Sequence, residues 1–200
     1  MITISQVADR IGEHICKKAG VESELNKICF GIEVIMVMSI SIFAMIAVGG
    51  VLGMFWEALL VTFAAIIMKF IIGGPHLSGF FRCLVYSTIL ICGGAWFGSI
   101  YQLWLSTPVT LLLLLLDLLI ILNVQLAPSY KTYTRSQTLV RKAVASSLPL
   151  ISAIVFLEIP DSWSASALIG FTISILNISP MGTNLVRWLD QIIDQGGAGQ

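Results

Sequence analysis

Six long apolar runs dominate the chain and restrict what it can fold into. They fall at about 28–52, 54–72, 84–105, 108–126, 143–159 and 163–178. A helix needs about 20 apolar residues to cross about 30 Å of hydrocarbon. Backbone polar groups in lipid must be satisfied internally, so only helices and closed barrels can span. A barrel needs short alternating segments. These runs are continuous, and the fourth contains six consecutive leucines at 111–116. The chain therefore reads as an all-α, polytopic integral membrane protein with about six transmembrane helices. Composition agrees: 57% of the 200 residues are hydrophobic and 11% charged, where a soluble domain carries about 25% charge. The net charge is zero, so no bulk field attracts polyanions. A disordered chain, a nucleic-acid binder and an ordinary water-soluble enzyme are excluded.

The first 27 residues differ from the rest. Ile4, Val7, Ala8, Ile11 and Ile15 recur at helical spacing, with Asp9, Arg10, Glu13, Lys17 and Lys18 on the other faces and Gly20 as a stop. This amphipathic segment reads either as an interfacial helix on the membrane or as a cap on the spanning helices. The expected organisation is an N-terminal segment 1–27, a single transmembrane domain 28–195 and a flexible tail 196–200. No signal-peptide pattern is seen. Basic residues sit in the N-terminal segment, around the second-to-third connection (Lys69, Arg82), and in the fourth-to-fifth loop (Lys131, Arg135, Arg141, Lys142). The other connections carry none. The positive-inside rule then puts those loops, and both termini, in the cytoplasm of a multi-pass cell-membrane protein. Trp56, Trp96, Trp104 and Trp163 suit interfacial anchoring or core packing. Pro149 leaves open whether the fifth and sixth segments fully span.

Four cysteines (Cys16, Cys29, Cys83, Cys92) and two histidines (His14, His76) show no metal-ligand spacing. No metal or cofactor is expected. The unusual stretch is 69–83. There Gly73-Gly74-Pro75 ends a helix, His76 follows, and Cys83 comes seven residues later, all at a cytoplasmic membrane edge. Non-helical backbone at that depth must be buried in protein or face a watery cavity.

A cysteine–histidine pair has familiar chemistry. The thiolate is the nucleophile, and the imidazole can hold a proton and return it to a leaving amine. On one unbroken helix, seven residues turn about 700° and rise about 10.5 Å. The pair would share a face yet stay apart, so contact requires a bend at Ser78-Gly79. Against this, a lone cysteine in an apolar helix is most often a small buried hydrophobe. Cys29 and Cys92 read that way, and Cys83 by itself would too. From the residues alone, the catalytic and structural readings stay open. Arg82 is a candidate for binding a substrate carboxylate. Asp117, mid-way along the fourth segment, costs about 3 kcal/mol to insert. It could orient His76, pair with Lys69 or lie between helices. Ser78 could contribute to an oxyanion site.

Gly74-Pro75-His76 followed by Cys83 resembles the Gly-x-His-x6-Cys signature of the accessory gene regulator B (AgrB) membrane peptidases. The resemblance covers nearly the whole chain. It includes the basic N-terminus, Lys69 seven residues before the histidine, Ala127-Pro128 opening a basic loop, and Pro180 late in the chain. It implies a membrane cysteine endopeptidase that cleaves a small AgrD-type precursor on the cytoplasmic side. Cleavage would be coupled to closure of a thiolactone or lactone quorum-sensing signal, with homodimers as the working form. By that resemblance Cys83 is the nucleophile and His76 the base, then the acid. The loop cations suit the acidic tail of such a precursor, although positive loops orient any membrane protein. The loop after Ala127-Pro128 holds fewer lysines than the family pattern. The competing reading is a small transporter or channel with Asp117 and Glu57 lining a path. Transporters more often show helix breaks at the midplane and duplicated halves, and no duplicated halves are seen here.

Overall fold

The computed structural model describes residues 4–74, 77, 79–101, 104–124 and 134–197. These form eight α-helices: α1 (Ile4–Ala19), α2 (Leu25–Val51), α3 (Phe55–Ile72), α4 (Phe80–Ser99), α5 (Thr107–Asn123), α6 (Arg135–Glu158), α7 (Ser162–Ile178) and α8 (Pro180–Gly197). A single 3-10 turn at Glu22–Glu24 precedes α2. Four helices, α2, α3, α4 and α6, are long and apolar enough to cross a membrane. α7 passes only together with α8, from which it is bent by 69°. α5 is a shorter apolar helix of 17 residues. The expectation of about six spans is met if α5 and the bent pair each cross. The chain divides into two compact units, 1–44 and 45–200.

In the first unit α1 is amphipathic and stops at Gly20, whose φ of 68° suits glycine. Its buried face is Ala8, Gly12 and Cys16, next to the apolar stripe. Ile11 and Ile15 are exposed. Gly12 permits the approach: a Cβ there would run into Cys29 Sγ, so the helices meet along the small residues. Cys29 thus packs as a small side chain, and its thiol points at the Asp9 carbonyl at 3.9 Å.

In the second unit α7 is the central element. It packs against α3, α4, α5 and α6 and is buried along most of its length. Gly170 permits the approach to α3, because a Cβ there would sit 2.9 Å from Val61 Cα. Ala64, Met68 and Ile72 of α3 meet Phe171 and Ile175 of α7 in one core. The outward faces stay apolar: Phe63, Phe70, Phe81, Ile89 and Leu112 are all exposed. An outward apolar coat on a chain with so few charges suits lipid, not water.

Side-chain partners fix the alternation of the helices. Trp56 stacks near Trp163, placing the starts of α3 and α7 together. Tyr101, just after α4, contacts Phe156 near the end of α6 and donates to the Pro160 carbonyl. At the opposite end Arg141, near the start of α6, meets Ile71 at the end of α3. Lys142 meets Leu122 near the end of α5. One end of this unit is therefore aromatic and the other basic.

Two segments differ from expectation. The apolar run predicts the fifth at 143–159, but α6 starts at Arg135 and runs 24 residues without a break. That is about 36 Å of helix. Thr134 and Gln137 start it with a capping box. Pro149 is fully buried inside the helix, where neighbouring helices shield the bond it removes. The apolar run predicts the third segment at 84–105, but α4 begins at Phe80 and stops at Ser99.

Candidate active site

The site is built around the connection between α3 and α4. Gly73 closes α3 with φ 86°, and its N–H donates to the Lys69 carbonyl. Gly79 opens α4 with φ 96°. A side chain with a Cβ would be strained at either position. The chain between His76 and Cys83 is therefore not one unbroken helix, as contact between the pair requires. Leu77 is buried and anchors the connection. Pro75, His76 and Ser78 lie outside the described residues.

Cys83 occupies the first turn of α4, half-buried, with its backbone N–H donating to the Gly79 carbonyl at 3.2 Å. The N–H groups just before it have no acceptor inside the helix, which leaves a partial positive charge at that terminus. The Lys69 ammonium reaches from α3 to within Coulombic range of Cys83. Tyr86, one turn further along α4, is also within range of the sulfur. Its hydroxyl donates to Asn177 Oδ1 at 2.8 Å, tying this part of α4 to the end of α7.

The remaining cations are held in different ways. Arg82 Nη1 lies 3.8 Å from Asp190 Oδ1 on α8, with both side chains largely covered. Arg141 Nη1 donates to the Ile71 carbonyl at 3.1 Å, and Lys142 Nζ donates to the Leu122 carbonyl at 2.7 Å. Both bonds satisfy last-turn carbonyls that a helix cannot pair internally, and they set a cation against the negative end of its dipole. Lys131 and the side chain of Arg135 lie outside the described residues.

Asp117 is set apart from this group. It is fully buried, and Thr172 donates to its Oδ2 at 2.8 Å. Its Oδ1 has no hydrogen-bond partner among the described residues. Asp117 thus sits between α5 and α7; His76, which it could orient, lies outside the described residues.

Sequence reasoning missed Asp190, Tyr86 and Asn177. Asp190 lies on α8, where the expected transmembrane domain gave no separate helix. The signal was present: Leu185, Val186, Leu189, Ile192 and Ile193 recur at helical spacing. Tyr86 lies three residues after Cys83 and so on its face. Nothing in the sequence marks Asn177.

Beside the site lies a cavity of about 110 Å3 between α3, α4 and α7, bordered by Lys69, Gly73 and Gly74 at the basic end. The arrangement defines a polytopic, all-helical membrane protein with a cysteine-bearing helix start, a cation and a recess at one end of its bundle. The family model of accessory gene regulator B matches residues 6–181, and the chain belongs to that family. No curated protein and no solved structure matches it. Membership assigns the chain to agr quorum-sensing peptide processing as a multi-pass membrane protein, with an AgrD-type peptide as its partner.

Proposed function

We propose that the protein is a membrane-embedded cysteine endopeptidase that cuts an AgrD-type precursor through an acyl-thioester on Cys83 and hands the acyl group to a nucleophile within the precursor. The observation that carries this is the setting of Cys83. It sits on the first turn of α4, directly after the glycine-bounded connection that bears His76, with the Lys69 ammonium in range.

In this reading His76 takes the Cys83 thiol proton as sulfur attacks the scissile carbonyl. The tetrahedral oxyanion is stabilised by Lys69, by first-turn N–H groups of α4, or by Ser78. Its collapse expels the C-terminal tail as an amine, which receives the proton from His76. The precursor segment remains on Cys83 as a thioester. A cysteine thiol or serine hydroxyl inside that segment then attacks, loses its proton to His76 and closes the thiolactone or lactone. Cys83 leaves as a thiolate and regains the proton. Excluding water from the recess favours closure over hydrolysis.

The basic end faces the cytoplasm in this proposal, with both chain termini on that side, α1 against membrane lipids and a homodimer as the working form. Arg82, Lys131 and Arg135 are the candidates for an acidic tail, and Arg82 would have to exchange Asp190 for it. Arg141 and Lys142 act by holding helix ends. A transporter reading draws no support from the cavity beside Cys83, which neither Asp117 nor Glu57 lines.

Co-expression with a precursor tests the reading. Cys83→Ala and His76→Ala are expected to insert normally and leave the precursor uncut. Full processing by Cys83→Ala would refute it.

A further inference from the structure

We infer that the cavity between α3, α4 and α7 is a specificity pocket. It takes the single apolar side chain, of leucine or methionine size, that precedes the scissile bond of the peptide. This rests on the peptidase reading above. The geometry starts from Cys83. Cys83, Ser87, Leu90 and Ile91 follow one another at i, i+4, i+7 and i+8, so they form one stripe of α4. The last three line the cavity. A carbonyl held at the sulfur therefore has its own side chain directed along a stripe that leads into the recess. The opposite walls come from Lys69 and Thr62 of α3 and from Ile173 and Asn177 of α7.

The recess has a floor. The stripe continues to Gly94, where a Cβ would sit 2.7 Å from Ile173 Cδ1 and 3.2 Å from Val61 Cγ1, so α4 closes onto α3 and α7 there. Size and lining then limit the guest. An apolar cavity of about 150 Å3 is enough to hold benzene, so about 110 Å3 holds one aliphatic side chain and no folded segment. Deep in the wall Thr62 is buried, with its Oγ1 unpartnered among the described residues. A threonine hydroxyl in a helix ordinarily finds the carbonyl four residues back.

The test uses the full-length protein in membranes and two synthetic precursors that differ only before the scissile bond, one with leucine and one with alanine. Wild-type protein is expected to cut the leucine precursor at least tenfold better in kcat/KM. Ser87→Leu, and independently Ile173→Phe across the cavity, should erase that preference. In each variant kcat/KM for the leucine precursor should fall to within about threefold of that for the alanine precursor, while Cys83 still alkylates at the wild-type rate. Indifference of the wild-type protein to the two precursors would overturn the pocket. So would variants that change both precursors by the same factor while Cys83 alkylation is unchanged, the result expected if the recess holds a lipid chain. Continued cutting of either precursor by Cys83→Ala would instead remove the peptidase reading itself.

Discussion

At one end of residues 45–200, Phe55, Trp56 and Trp163 pack ring against ring, as do Trp96, Phe97 and Trp104. There α4 presses Gly98 against Ser166 of α7 so closely that a Cβ has no room. At the other end the same two helices part around a cavity, two connection glycines hold positive φ, and Lys69, Arg82, Arg141 and Lys142 gather. At the aromatic end α4 and α7 are in close contact, and its rings suit a membrane–water boundary. The basic end is open and polar, and its cations satisfy helix carbonyls or an acid. One stripe of α4 passes through both regimes: Cys83 and Ser87 on the open side, Gly94 and Gly98 on the closed side. The difference separates rigidity from chemistry. The closed half fixes the angle between α4 and α7, and that angle keeps the recess open beside Cys83.

Substitutions at the two ends should therefore have different signatures. The largest effect is expected at Gly170, where α7 touches the α3 backbone. Gly170→Leu should cost ~3 kcal/mol or more by overpacking and be read as loss of folded protein in a detergent thermal-unfolding assay. Arg141→Met should lower cleavage about tenfold, from loss of a charged hydrogen bond of about 1.5 kcal/mol at the end of α3. Precursor affinity should stay within about threefold, and Arg141→Lys should recover part of the rate. If affinity falls instead of rate, Arg141 binds substrate and the capping account is wrong. Trp56→Ala should lower thermal stability by about 1 kcal/mol through its ring partners, with the cleavage rate of the folded fraction unchanged. The smallest effect is expected at Asp117. Asp117→Asn keeps an acceptor for Thr172 and should leave cleavage within about threefold; a large loss would revive a path through α5.

The overall class was legible because the property that sets it, long apolar stretches, is a sum over many residues. The helix break at Gly73-Gly74-Pro75 was legible because glycine and proline act locally, and Gly73 does adopt φ 86°. Boundaries defined by charge were not. The start of α6 was placed at Ala143 because Arg141 and Lys142 interrupt the apolar run, yet both belong to the helix and lend their charges to neighbouring carbonyls. For the same reason Arg82 and Gly79 hid the first turn of α4, and with it the placement of Cys83 on a helix start. The face of α1 that packs on α2 was not legible, because the small Gly12 and Cys16, not the larger isoleucines, allow close approach. Asp190 was missed because a bend of 69° after α7 turns an apparent extension of the last span into a separate amphipathic helix.

The acyl-thioester on Cys83 is tested most directly with a precursor whose internal nucleophile is replaced by alanine, so that ring closure is blocked. After incubation with the membrane-embedded protein, intact-mass analysis should show an adduct equal to the precursor's N-terminal fragment. It should be released by hydroxylamine and map to Cys83. Cleavage of that precursor with no adduct at any time, or the same adduct on Cys83→Ala protein, would contradict the account.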